Sequence, residues 1–481
     1  MKYKDLIQIS SHVWELPATG EMLVPGRIYA NDKLISQVYR DNALAQVSNV
    51  AKLPGIQKYS IAMPDIHWGY GFPIGGVAAM EVESGIISPG GVGYDINCGV
   101  RFIRTNLELA DIREKLPHII DVLFRQVPAG VGSSNSIPAL NYTELKEVLK
   151  EGAKWAVRKG YGKDEDLDSI EEYGCLNAAD PEKVSNKALK RGADQPGTLG
   201  SGNHFIEIGV IRDIFQQEAA QDLHLHKDQV IFMIHTGSRG LGHQICDDYV
   251  HEMLMQSHKL KFRLPDKQLA CAYINSTLGR NYFGAMACAA NFAWANRQII
   301  MHKVEEGMLK ALDLQPDELG FELVYDVCHN IAKFEEHKID NQNKLVCVHR
   351  KGATRAFGPG RKELAAKFHF LGQPVIIPGD MGTESYLCLG TDRAMQDTFG
   401  SSCHGAGRTM SRHQALNTAS YNQVMNDMKA KQICVKAADK KTLVEEMSSA
   451  YKNVSDVVDT MHEAGIIRKI IRSQPLGVIK G

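Results

Sequence analysis

Short apolar runs closed by glycine-rich or polar turns recur along this chain and predict strands at residues 76–82, 100–107, 205–211, 230–234, 323–327, 344–348 and 375–377. Apolar side chains at helical spacing predict helices over residues 111–125, 142–157, 243–258, 283–304 and 441–461. The two kinds of element intermix without regular alternation, which predicts an irregular α/β mixed (α+β) fold. No internal repeat, low-complexity tract or proline-rich linker divides the 481 residues, so a single unit over residues 1–481 is expected. Residues 160–194 are charged and poor in large apolar side chains, and read as a surface excursion with site-like motifs on either side.

Several of the apolar runs end in residues that carry chemistry. The segment Ser88-Pro89-Gly90-Gly91-Val92-Gly93-Tyr94-Asp95-Ile96-Asn97-Cys98-Gly99 sets a carboxylate and a thiol three positions apart in a loop too glycine-rich for a helix or strand interior. A hard and a soft donor in one turn suit a divalent metal near the border of the two classes. Four further short segments each deliver one imidazole: His204 after Gly202-Asn203, His235 before Thr236-Gly237-Ser238-Arg239, His329 after Cys328, and His404 before Gly405-Ala406-Gly407-Arg408. Any one of these histidines is readily an ordinary core residue. Several strand ends, each followed by a turn, are what a site assembled from strand termini looks like.

Composition narrows the partners. Charged residues are 23% of the chain and the formal net charge is −1, so a basic surface for nucleic acid has to be local. The ten cysteines are scattered without a Cys-x-x-Cys pair, which argues against a disulfide framework or zinc ribbon. The amino-terminal stretch lacks an export signal's apolar core, and the most apolar tract, residues 283–301, is interrupted by Asn291, Asn296 and Arg297. A cytoplasmic protein with no membrane partner is expected.

Neither a P-loop nor a dinucleotide fingerprint occurs, and Lys338-Ile339-Asp340-Asn341 lacks the final glycine of the lysine nucleotidyl-transferase motif. If a covalent nucleotide forms, His404 is the candidate nucleophile, since neutral imidazole predominates at pH 7–8 and the glycines after it leave room for a phosphate. Pro378-Gly379-Asp380-Met381 begins a turn-dense segment leaving a strand, readable as a nucleotide loop or as a well-made turn. Arg239, Lys351, Arg408 and Arg412 lie beside the glycine-rich loops and are the candidate phosphate contacts.

Taken together, Pro64-Asp65-Ile66-His67-Trp68-Gly69-Tyr70-Gly71, the Asp95–Cys98 loop, Leu199-Gly200-Ser201-Gly202-Asn203-His204-Phe205, His235-Thr236-Gly237-Ser238-Arg239-Gly240, Cys328-His329-Asn330 and His404-Gly405-Ala406-Gly407-Arg408 resemble the RtcB family of RNA-splicing ligases. The resemblance runs from about residue 60 to the carboxyl end. It implies a GTP-dependent enzyme that joins RNA 3′-phosphate or 2′,3′-cyclic phosphate ends to 5′-hydroxyl ends, in tRNA splicing or RNA repair. It further implies strands ending at a central dinuclear site with two Mn(II) per chain. There Cys98 bridges the ions, Asp95 and His204 hold one, and His235 and His329 hold the other. His404 would carry the guanylyl group. Asn203, Phe205, Glu207, Asn330, Pro378, Gly379, Asp380, Met381, Ser385, Gly405, Ala406, Gly407, Tyr451 and Lys480 fall where the family binds guanine nucleotide. The partners implied are GTP and RNA, with an activating helper protein admitted.

Donor chemistry alone assigns zinc to a Cys/His/Asp set, so Mn(II) rests on the resemblance. Two other classes compete: a metal-dependent phosphoesterase, in which His404 and the guanine-site residues would be idle, and an RNA-binding factor with a closed structural metal. A GTP requirement separates the first, and turnover the second.

Overall fold

The computed structural model describes residues 6–481, so most of the amino-terminal stretch read for export lies outside the described residues. Two sheets organise the chain. The larger has eight strands, in the order Glu322–Cys328, Gly99–Glu108, Gln229–Thr236, Phe205–Ile214, Ile467–Lys480, Ser385–Gly390 and Pro374–Ile377, with Cys434–Ala437 pairing in parallel beside Ile467–Lys480. The smaller has seven: Ile7–Ser10, Val13–Leu16, Gly26–Tyr29, Ser60–His67, Ile74–Glu81, Gln342–Lys351 and Asn330–Ile339. This is the mixed α/β architecture expected, and every strand read from the sequence is present within a few residues.

Strand register positions the site. Cys328 pairs with Gly99, Gly99 with Thr236, Val100 with His235, His235 with Phe205, and Phe205 with Lys480. Five adjacent strands therefore present one common end, where the segments carrying Cys98, His204, His235, His329 and Lys480 lie side by side. A one-residue slip in any pair would turn its side chains to the opposite face. At His329 the chain passes directly from Glu322–Cys328 of one sheet into Asn330–Ile339 of the other. A short antiparallel pair, Ala353–Arg355 with Ser401–Cys403, delivers His404 to the same place.

The strand Asn330–Ile339 escaped the apolar-run reading because its alternation is inverted. Lys333, Glu335 and His337 point inward while Phe334, Glu336 and Lys338 are exposed. The buried charges are matched: Lys333 pairs with Glu171 and Glu172, and Glu335 accepts a forked pair of bonds from Arg350 at 2.6 and 2.8 Å. These pairs also show that part of residues 160–194 is built into the interior. Ser169, Ile170 and Glu171 are buried, Ile170 bridges to Asp326, and Glu172 joins Arg355. Most charged side chains of the tract, among them Lys163, Asp164, Glu165, Lys187 and Lys190, are exposed as expected of surface, and Glu171 and Glu172 are the ones turned inward to charged partners.

Three helix forecasts are corrected as well. Residues 111–125 hold Leu109–Ile112 and Leu116–Gln126, with Pro117 tolerated in the second helix's first turn. Residues 142–157 divide at Gly152, whose φ of 60° a side chain would resist. Residues 441–461 hold Lys440–Glu445, a turn at Ser448–Ala450 and Val454–Glu463, the last capped by the Asn453 side chain. That break carries Glu446 and Tyr451 into the site. By contrast the forecast over 283–304 grows to a single helix Thr277–Leu312, about 54 Å long. Every residue from 284 to 301 in it is buried, and the polar ones among them, Asn291, Asn296, Arg297 and Gln298, find hydrogen-bond partners inside. Among the described residues no helix is long and apolar enough to cross a membrane.

Candidate active site

At the common strand end five donor atoms face one another. The Cys98 thiol lies 3.4 Å from His204 Nε2 and 3.2 Å from His235 Nε2, and His235 Nε2 lies 3.3 Å from His329 Nε2. Asp95 Oδ2 is 2.8 Å from His204 Nε2. Two groups result, Asp95–Cys98–His204 and Cys98–His235–His329, each with its ligand atoms within 4.8 Å of one another, and Cys98 belongs to both.

The donor chemistry fits divalent cations. His204 Nδ1 faces the Leu199 carbonyl at 3.0 Å, so Nδ1 carries the proton and Nε2 turns its lone pair toward the thiol and carboxylate. Lone pairs aimed at one point are what a cation resolves. Without one, burial and then the Asp95 charge push the Cys98 thiol up, and burial followed by the neighbouring imidazoles holds His235 and His329 well below the usual histidine range. Burial alone would raise Asp95, but the His204 ring outweighs it and holds the carboxyl at about 2.

Arg297, on the long helix, keeps the donor-bearing segments in place. Its guanidinium donates to the Asn97 carbonyl at 2.8 Å and the Thr236 carbonyl at 2.9 Å, the neighbours of Cys98 and His235. It also donates to both Asp326 oxygens, and Asp326 accepts from Arg101 at 2.6 Å as well. All three side chains are fully buried. Removing the carboxylate would strand two buried guanidinium groups. An Asp326→Ala protein is therefore expected to lose about 3–5 kcal/mol, read as a lower denaturation midpoint of the metal-free chain. Unchanged stability would show that the network adds nothing. On the opposite side Gly237 lies so close to Asp95 that a Cβ would sit 2.5 Å from its carboxylate, and this approach lets the Ser238 N–H donate to Asp95 at 3.0 Å.

His404 stands beside the donor cluster, its ring centroid 4.8 Å from that of His329. Asp65, fully buried, accepts from the His404 backbone N–H at 3.0 Å and from Nδ1 at 2.6 Å. Burial would raise the Asp65 pKa, but His404's charge and hydrogen bonds bring it down, so the carboxylate keeps the proton on Nδ1 and frees Nε2 for attack. Asp65 was quoted within a motif but given no role. The sequence signal was its Asp-x-His spacing at the end of a strand.

A cavity of about 400 Å³ joins the cluster and His404 to most of the residues assigned to guanine nucleotide. Asn203, Phe205, Glu207, Asn330, Pro378, Gly379, Asp380, Met381, Gly405, Ala406, Gly407, Tyr451 and Lys480 all line it. Ser385 does not; its hydroxyl sits behind and accepts the Gly379 N–H at 3.1 Å. The segment after Pro378 is a turn closed by Asp380 side-chain bonds, and it also forms a wall of the cavity. Glu446 was missed: it faces Lys480 at 3.8 Å, accepts from Arg408 at 3.1 Å and takes the Tyr451 hydroxyl. It is held ionised by Lys480 and Arg408 against its burial. Glu207, 2% exposed, leaves Oε1 without a hydrogen-bond partner among the described residues. Burial, then the Asp380 charge, raises its pKa to about 8.

The four basic candidates fare unequally. Arg412 lines the cavity with its side chain 54% exposed. Arg408 lines it while paired to Glu446. Lys351 also lines it but is buried, donates to the Tyr70 and Gly90 carbonyls, and is brought by burial down to about 7. Arg239 is not on the wall, and donates to Thr198 and Ser133 instead.

Comparison with known proteins identifies the family. The family described as "tRNA-splicing ligase RtcB" matches residues 46–481. The protein of that name from Archaeoglobus fulgidus is 50% identical over 478 residues, covering 99% of both chains. Those from Methanococcus maripaludis and Thermococcus kodakarensis are each 50% identical, over 476 and 469 residues, covering at least 97% of either chain. With a family match over nine-tenths of its length and relatives aligned end to end, the chain belongs to the RtcB family.

Proposed function

We propose that this chain is an RNA ligase of tRNA splicing that uses GTP and two Mn(II) ions to join a 3′-phosphate or 2′,3′-cyclic phosphate end to a 5′-hydroxyl end. Family membership supports the ligase reading. The observation that carries the mechanism is the placement of His404, its Nδ1 held by Asp65, in one cavity with a Cys98-centred donor cluster. Asp95, Cys98 and His204 would hold one ion, and Cys98, His235 and His329 the other. Such ions neutralise phosphate oxygens and lower the pKa of a bound water or hydroxyl. The resemblance selects Mn(II), while the thiolate and imidazole donors would take zinc at least as tightly.

In the proposed sequence a cyclic end is first opened by water to a 3′-phosphate. The His404 Nε2 lone pair then attacks the α-phosphorus of GTP; the bond to pyrophosphate breaks, and Asp65 balances the charge gathering on the ring. An oxygen of the RNA 3′-phosphate next displaces the imidazole and takes the guanylyl group. Finally the 5′-hydroxyl attacks that phosphate, its proton is lost, and GMP leaves. The mass of the protein after incubation with GTP and Mn(II) tests the reading: a gain of one guanylyl group is expected, and no gain would overturn it.

In the guanine assignment Glu207 accepts from the base N1–H and amino group, and Lys480 donates to its O6 and N7. The empty pocket holds Glu207 largely protonated at pH 7, since its pKa is about 8. Binding then has to release that proton, so guanosine affinity is expected to rise roughly tenfold per pH unit up to about pH 7.5 and flatten above 8. Guanosine is the probe because it carries no phosphate to titrate. Calorimetry across pH checks this, and a flat profile would remove Glu207 from the site.

A further inference from the structure

A second groove, of about 900 Å³, adjoins the His404 cavity and shares His67, Ile74, Arg408 and Arg412 with its wall. At its side stands Trp68, 49% exposed and the only exposed tryptophan among the described residues. An indole in water is ordinarily left to move, but this one is held by its backbone. The Trp68 N–H donates to Asp41 Oδ2 at 3.0 Å. The adjacent Gly69 is gripped on both sides by buried Gln46, which accepts from the Gly69 N–H at 3.0 Å and donates to its carbonyl at 2.6 Å. The loop is therefore fixed while the aromatic face stays open.

Position and charge indicate what that face meets. Trp68 lies three residues after Asp65, the carboxylate that orients His404, and three residues span at most about 11 Å. Exposed Arg40 and Arg412 line the groove, and buried Lys452 lies at its floor, donating to the Pro64 and Ile66 carbonyls. The acidic group present, Asp41, is engaged by the Ala43 and Trp68 N–H groups. A fixed aromatic plane beside exposed arginines, opening onto a phosphate-transferring imidazole, is the arrangement that grips single-stranded nucleic acid by stacking and backbone charge.

We propose that this groove receives the single-stranded RNA end being joined, and that Trp68 stacks against one of its bases. The proposal rests on the ligase reading above. Because every base has a π face, the contact selects for unpaired nucleotides and not for sequence.

The test is tryptophan emission of the full-length protein titrated with unlabelled hexanucleotides, one bearing a 3′-phosphate and one a 5′-hydroxyl, with affinity measured independently by anisotropy of labelled copies. Quenching by at least one strand is expected, and it should vanish in Trp68→Phe while affinity is largely kept. Trp68→Ala should weaken that strand roughly 5- to 150-fold, the equivalent of about 1–3 kcal/mol of stacking. If the unmodified protein joins RNA but its emission is not quenched and Trp68→Ala binds as tightly, the stacking role is overturned. If the unmodified protein neither binds nor joins RNA, the ligase reading itself has failed.

Discussion

A His404→Ala protein is expected to take up no guanylyl group, with labelling by α-phosphate-tagged GTP reduced roughly 10⁴-fold or more. The geometry makes the residue hard to replace. Nε2 is the free nitrogen because Asp65 engages Nδ1 at 2.6 Å, and the methyl of alanine offers no lone pair. The adduct on the unmodified protein should be labile in acid and stable in base, as a phosphoramidate is. His404 belongs to neither donor group, so the variant should keep its metal content. It should also still join RNA whose 3′ end is supplied already activated with GMP. Labelling at full strength would remove His404 from the mechanism.

Cys98→Ala is expected to lose both ions, whereas His204→Ala and His235→Ala should each lose mainly one. The asymmetry follows from Cys98 being common to the two donor groups. Its loss leaves a carboxylate and one imidazole on one side and two imidazoles on the other. Bound ions would hold Cys98 as a thiolate at a position where burial and Asp95 otherwise push the thiol up. Elemental analysis after dialysis gives the result: close to two Mn(II) per chain before substitution and close to none after. A Cys98→Ala protein retaining both would refute the shared ligand. Added zinc should displace manganese in the unmodified protein, in keeping with the order of affinities.

Much of this was readable from the chain because chemistry and patterning coincided. Gln229–Thr236 is buried along its whole length and so reads as a continuous apolar run ending at His235. The glycine-rich turns around Asp95, His204 and His404 likewise marked themselves. Where burial and polarity part company, the reading failed. Asn330–Ile339 buries its charged face, and Glu171 and Glu172, from the otherwise largely exposed charges of residues 160–194, supply part of the matching charge. Glu446 was hidden differently. It lies in a tract whose helical spacing runs on through the break at Ser448–Ala450, and nothing in that spacing turns it toward Lys480. Register between distant strands was beyond reach, since pairings such as Gly99 with Cys328 or Phe205 with Lys480 leave no local trace.

The gathering of the donors from distant segments at one end of the larger sheet has a consequence for how the molecule comes into being. The five donors extend from Asp95 to His329, and no two consecutive ones on the larger sheet are brought near by local structure beyond the Asp95–Cys98 turn. Closing such long loops is slow and entropically costly, and contacts of this separation form late. Ions would therefore find their full ligand set only in a chain whose donor-bearing strands of the larger sheet have already paired. Metal would then act as a latch on the finished fold and give little help to the search for it. By mass action it lowers the rate and extent of opening without hastening assembly.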